Sequence, residues 1–135
     1  MYKNILVPIA FDSDAKAEAA MAVAKQLAAD DSEITLLHVM EHIPGYAISY
    51  MPPDYLKQSR DAIQSELDAM AAKFGQAKGL VVEGHSGRTI LDFAEDNGID
   101  LIVVASHRPG MGDMLMGSTA TQVVRHAKCA VHVLR

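Results

Sequence analysis

Cysteine is nearly absent from this chain: Cys129 stands alone among 135 residues. An internal disulfide framework is excluded, and a single thiol suits a reducing cytosol. No apolar run approaches the ~20 residues that a membrane span needs. The amino-terminal MYKNILVPIAFDSD carries a short apolar run that Pro8 breaks and acidic residues follow, unlike a signal peptide. A soluble, cytoplasmic protein without membrane association is expected. Basic excess is also lacking, with 12 Lys and Arg against 17 Asp and Glu and a net charge of −5. That balance does not point to nucleic acid, and an anionic ligand would need a local positive field. Internal repeats, low-complexity tracts and linkers are missing too. The length fits one domain, residues 1–135, with its own core.

What the chain does have is a regular order of elements. Asn4 to Ile9 is a near-continuous apolar run, the mark of a strand covered on both faces, with Pro8 expected at its carboxyl end. Asp12, Ser13 or Asp14 can cap a helix whose Ala17, Ala20, Met21, Ala24, Leu27 and Ala28 form one stripe. Glu33 to Val39 reads as the second strand. A connection from Met40 to Pro53 leads to a helix from about Asp54, which Gly75 ends. Gly79 to Glu83 reads as a short strand, followed by a helix that Ser86 can cap and Gly98 closes. Asp100 to Ala105 is the fourth strand, Gly117 or Ser118 starts the last helix, and Ala130 to Leu134 is the fifth strand. The alternation predicts an α/β fold: a single five-stranded parallel sheet with helices on both faces. Ligands of such sheets settle beyond the carboxyl ends of the strands, here after strands one, two and four.

The loop SHRPGMGDMLMGST, Ser106 to Thr119, joins the fourth strand to the last helix. A helix start offers unpaired N–H groups and the positive end of the dipole, hence a seat for an anion. Gly117 admits a close approach to the backbone, Ser118 and Thr119 add hydroxyls, and Arg108 adds a planar cation. An ordinary cap on a flexible connection explains the same residues. The phosphate-binding templates are missing: no G-x-x-x-x-G-K-[ST] occurs, and Gly110, Gly112 and Gly117 have the wrong spacing for a dinucleotide fingerprint.

ILVPIAFDSD, TLLHVME, LIVVASHRPG and LMGSTATQVVRHAKCAVHVLR together resemble the universal stress protein family over essentially the whole chain. The likeness is nearest to the ATP-binding branch, in its variants with a Ser-His-Arg-Pro loop. It implies an adenine nucleotide alpha hydrolase-like, Rossmann-like fold and a homodimer through the carboxyl-terminal edge strand. It also implies ATP, ADP or AMP, with Mg2+, held between strands one and four by a stress-response regulator with an unnamed protein partner. By the resemblance, Ala105, Ser106, His107 and Arg108, with Gly117, Ser118, Thr119 and Ala120, receive the phosphates. Pro8, Ile9 and Ala10 flank the nucleoside, and the Val39 backbone meets the adenine. Three positions and one spacing depart from the family pattern, since only eight residues, Pro109 to Met116, separate Arg108 from Gly117. Ala105 and Arg108 stand at glycine positions of the signature G-x2-G-x9-G-[ST], and Ala10 stands where the family usually has a ribose-binding aspartate.

Other constellations carry less. His38 and His42, four apart, straddle a strand end, and His107, His126 and His132 share no ligand spacing with Cys129, so no metal site is expected. Ser106 and His107 are chain neighbours outside any G-x-S-x-G elbow, and no catalytic residue is assigned. Arg125, His126 and Lys128 are read as complements to the negative end of the last helix. Two further functional readings stay open: a nucleotide-independent dimer acting through protein contacts, and a very slow ATPase or phosphotransferase.

Overall fold

The computed structural model describes residues 1–11, 14–106 and 117–135. The apolar runs become strands β1 (Tyr2–Pro8), β2 (Ala28–Met40), β3 (Ala77–Glu83), β4 (Leu101–Ala105) and β5 (Ala130–Leu134). Between them lie helices α1 (Asp14–Leu27), α2 (Gly45–Ile48), α3 (Tyr55–Phe74), α4 (Ser86–Asp96) and α5 (Ser118–His126). All strand pairings are parallel, and the order is β3-β2-β1-β4-β5.

Alternation along each strand divides the core into two layers. Ile5, Val7, Ile34, Leu36, Leu101 and Val103 pack with Met21 and Ala24 of α1 and Leu67 of α3. Their neighbours Leu6, Leu37, Ile102 and Val104 pack with Ile90 of α4 and Ala120 and Val123 of α5. Cover on both faces is why these strands read as unbroken apolar runs.

Three strands begin earlier than their apolar residues suggest, the first being β1, at Tyr2 rather than Asn4. β2 starts at Ala28 rather than Glu33, because Tyr2 pairs with Ala28 before the register shifts to Asn4 with Glu33. The added stretch includes the exposed Asp30 and Asp31, which lie within that register shift; Gln76 Nε2 donates to the Asp30 carbonyl at 2.7 Å, a contact hydropathy cannot reveal. β3 starts at Ala77, where Ala77 pairs with Ile34. Pro8 does end β1, and the Ile9 N–H still reaches the Leu37 carbonyl at 2.8 Å.

Helix ends follow their local chemistry. Gly75 leaves α3 at φ 78°, a conformation a side chain would strain, and its N–H donates to Ala71 O at 3.2 Å. Ser86 does not cap α4: His85 occupies the N-cap, no side chain bonds there, and the Ser86 hydroxyl turns instead to Thr119 on α5. Lys128 likewise serves another partner, Glu95 of α4, at 2.9 Å.

The two sheet edges differ. Gly84 donates to Met40 O, so Gly79 and Val81 turn their carbonyls away from β2. α3 covers that outer row: Gln64 Nε2 donates to Gly79 O at 2.9 Å and Arg60 to Val81 O at 3.1 Å. Such cover blunts an edge. Among the described residues, no strand pairs with the outer edge of β5.

Candidate functional site

The chain runs outward from β1 to β2 and β3, then returns to lay β4 on the other side of β1. Connections therefore leave in opposite directions beyond β1 and β4 and open a crevice there. A cleft of about 250 Å³ occupies this place. Its walls include Pro8, Ile9 and Ala10 after β1, Val39 of β2, Ala105 and Ser106 at β4, and Gly117, Ser118, Thr119 and Ala120 opening α5. Three segments far apart in sequence thus meet at one place. His107 and Arg108 lie outside the described residues.

Ser106 is the joint of the cleft. It is buried, and both its N–H and its hydroxyl donate to Leu134 O, at 2.8 and 2.9 Å. Its carbonyl accepts the Gly117 N–H at 3.1 Å, so one residue ties the ends of β4 and β5 to the start of α5. The Gly117 amide is thereby occupied, and Thr121 N–H donates to Gly117 O at 2.9 Å. Between them, the amides of Ser118, Thr119 and Ala120 are those for which a helix's first turn supplies no partner. All three residues line the cleft, at the positive end of the α5 dipole.

The structure adds residues that sequence reasoning passed over. Ser86, at the start of α4, also lines the cleft, and its Oγ lies 2.8 Å from Thr119 Oγ1. His38 Nδ1 lies 2.7 Å from Ile9 O, which can only accept, so Nδ1 carries the proton. The Phe11 ring sits beside it, with centroids 5.1 Å apart. Lys16 and Glu41 are the ammonium and the carboxylate among the described lining residues. Lys16 had one sequence signal: a lysine in the first turn of a helix opposes the dipole, so helix stability does not explain it. Glu41 had none, because its position depends on where β2 ends.

A second cavity, of about 160 Å³, lies where α4 and α5 end, and Cys129 lines it with His126 and Glu95. Burial pushes the Cys129 thiol up from its ordinary range, and the charge of Asp100 adds to the rise. Among the described residues, no group of three or more His, Cys, Asp or Glu side chains converges as a metal site. None of their helices is long and apolar enough to cross a membrane.

Fold and cleft together define a doubly wound parallel α/β protein with a cleft at its topological switch point. The model of the universal stress protein family matches residues 1–135, and the chain belongs to that family. Universal stress protein A homolog 2 of Coxiella burnetii is 32% identical over 149 residues, covering 99% of this chain and 95% of that protein. Universal stress protein G of Escherichia coli O157:H7 is 30% identical over 143 residues, covering 100% of both. Among solved structures, universal stress protein UspA from Lactobacillus plantarum has a TM-score of 0.73 at 28% identity, covering 99% of this chain and 98% of that one.

The same fold is shared by more distant structures that hold ligands. The universal stress protein from Archaeoglobus fulgidus in complex with dAMP has a TM-score of 0.70 at 16% identity. A family protein from Arabidopsis thaliana with AMP bound has 0.64 at 17%, and a universal stress protein in complex with cAMP has 0.72 at 20%.

Proposed function

We propose that this protein is a cytoplasmic, dimeric regulator of the stress response that binds an adenine nucleotide, ATP or ADP, in the cleft between β1 and β4. The observation that carries the reading is the start of α5. Three first-turn amides, two hydroxyls and a dipole end converge on a cleft at the switch point. Lys16 on α1 adds the local positive charge that a chain of net charge −5 must supply to an anion. The nucleoside lies toward β1 and β2, against Pro8, Ile9 and Ala10, with the Val39 backbone facing the base. His107 and Arg108 belong to the same phosphate-binding group in this reading. Distant relatives of the same fold that carry AMP, dAMP or cAMP support the choice of an adenine nucleotide.

ATP, when bound, supplies charge and a base for recognition; the protein's own residues bind and orient it. Mg2+ carried in with the phosphates would supply charge neutralisation and would take its oxygen ligands from the nucleotide and water. Among the described residues no strand joins the β5 edge, and this edge is the surface through which two copies pair, since α3 already covers the β3 edge.

Freshly purified protein, denatured and chromatographed, is expected to release adenine nucleotide. Stripped protein is expected to melt higher when millimolar ATP is added. No released nucleotide together with no shift overturns the reading. Intact dimers in sedimentation with that same result favour a scaffold that acts through protein contacts alone.

A further inference from the structure

We infer that Ser86 is a positioning residue for the anion end of the cleft: it donates a hydrogen bond to Thr119 and so turns the Thr119 proton toward bound phosphate. The inference rests on the nucleotide reading above and assigns a role within that site to an element, α4, that the reading does not use.

Ser86 is the first residue of α4 and Thr119 the second of α5, and their side-chain oxygens are 2.8 Å apart. Both are half-buried and both face the cleft. Each hydroxyl carries one proton, and only one proton fits between the two oxygens. Once an anion accepts the Thr119 proton, Ser86 must supply the proton between them. The chain then runs Ser86 O–H to Thr119 O–H to phosphate oxygen, each bond polarising the next, and its last link is charge-assisted.

The surroundings hold this pair in place. Ser86 is not spent on its own helix, because no side chain caps α4. The next residue, Gly87, is buried, and a Cβ there would collide with Gln122 Oε1, one turn further along α5. The missing side chain lets the two helices touch immediately beside the hydroxyl pair. Without Ser86, the Thr119 hydroxyl becomes a free rotor that binding must order anew.

The test is calorimetric titration of the whole protein with ATP, AMP and adenosine, comparing wild type with Ser86→Ala, Ser86→Thr, Thr119→Val and the double variant Ser86→Ala/Thr119→Val. Loss of the Ser86–Thr119 bond that supports a charge-assisted bond to phosphate predicts about five- to tenfold weaker ATP and AMP binding in Ser86→Ala. Adenosine binding should stay within about twofold, since adenosine has no phosphate to receive the proton. Ser86→Thr should restore most of the loss, and Ser86→Ala should cost nothing further once Thr119 is Val. Melting curves of each variant check that the α4–α5 packing is retained. If Ser86→Ala weakens adenosine as much as ATP, adds its full effect to that of Thr119→Val, or changes nothing, the inference falls and the nucleotide reading stands. If wild type binds none of the three ligands, both fall.

Discussion

His38 donates its Nδ1 proton to the carbonyl oxygen of Ile9 across 2.7 Å and so ties β2 to the backbone that continues β1 past Pro8. Pro8 has no N–H to give a neighbouring strand, so β1 loses a donor just where the cleft begins. The His38 bond, together with Ile9 N–H to Leu37 O at 2.8 Å, holds Ile9 in line after that break. Replacing His38 by Phe keeps a ring beside Phe11 but leaves Ile9 O without its donor. We expect a loss of about 1–3 kcal/mol in urea unfolding and weaker ATP binding, with His38→Asn less damaging. Unchanged stability in His38→Phe would show that water replaces the imidazole.

Glu41 places a carboxylate on the wall of the cleft that we propose holds a nucleotide. In high dielectric, with part of the interaction screened by salt, one such charge weakens a polyanion's binding by about two- to threefold. Glu41→Gln should therefore tighten ATP by that factor at low salt, and the gain should fade by about 0.5 M salt. Weaker ATP binding in Glu41→Gln would show that the carboxylate holds a ligand hydroxyl or amine instead.

Asp100 gathers the amino-terminal end of the sheet, accepting the N–H of Lys3 at 2.9 Å and of Asn4 at 3.0 Å. Asp100→Ala removes both acceptors at a partly exposed site, for an expected loss of about 1–2 kcal/mol in chemical denaturation. This end is opposite the cleft, so ATP affinity should not change. A fall in affinity at unchanged stability would contradict that separation.

Gly79 lies where α3 crosses β3, and a Cβ there would stand 2.6 Å from Leu67 Cβ and 3.1 Å from the Leu67 carbonyl carbon. Buried Leu67 and its helix backbone cannot yield cheaply, so Gly79→Ala should cost about 1–3 kcal/mol. At Gly87 the clash is with the end of the Gln122 side chain, which can swing away. Gly87→Ala should therefore destabilise less than Gly79→Ala, as read by thermal melting.

Much of this architecture was legible in the residues. The runs Ile5–Val7, Ile34–Leu37 and Leu101–Val104 are buried end to end, and only strands covered on both faces demand such runs. Gly75 and Gly98 marked helix ends because both adopt positive φ. The polar start of β2 was not legible, since Asp30 and Asp31 are exposed and sit at a register shift that leaves no trace in hydropathy. Ser86 read as a cap because the residue type favours caps. A chain pattern cannot say that Thr119, 33 residues away, will offer its hydroxyl a nearer partner.

The order of apolar runs and breakers, taken alone, determined a parallel sheet wrapped in helices and the loops that could hold a ligand. Local propensity and burial are properties of short segments, and short segments carry them in full. Only the tertiary structure decided that β4 lies beside β1. That placement opened the crevice with Lys16, His38, Glu41 and Ser86 on its walls, while α3 covered the β3 edge and, among the described residues, no strand joined β5. Those outcomes depend on which distant segments become neighbours, and long-range packing makes that choice once the whole core is assembled.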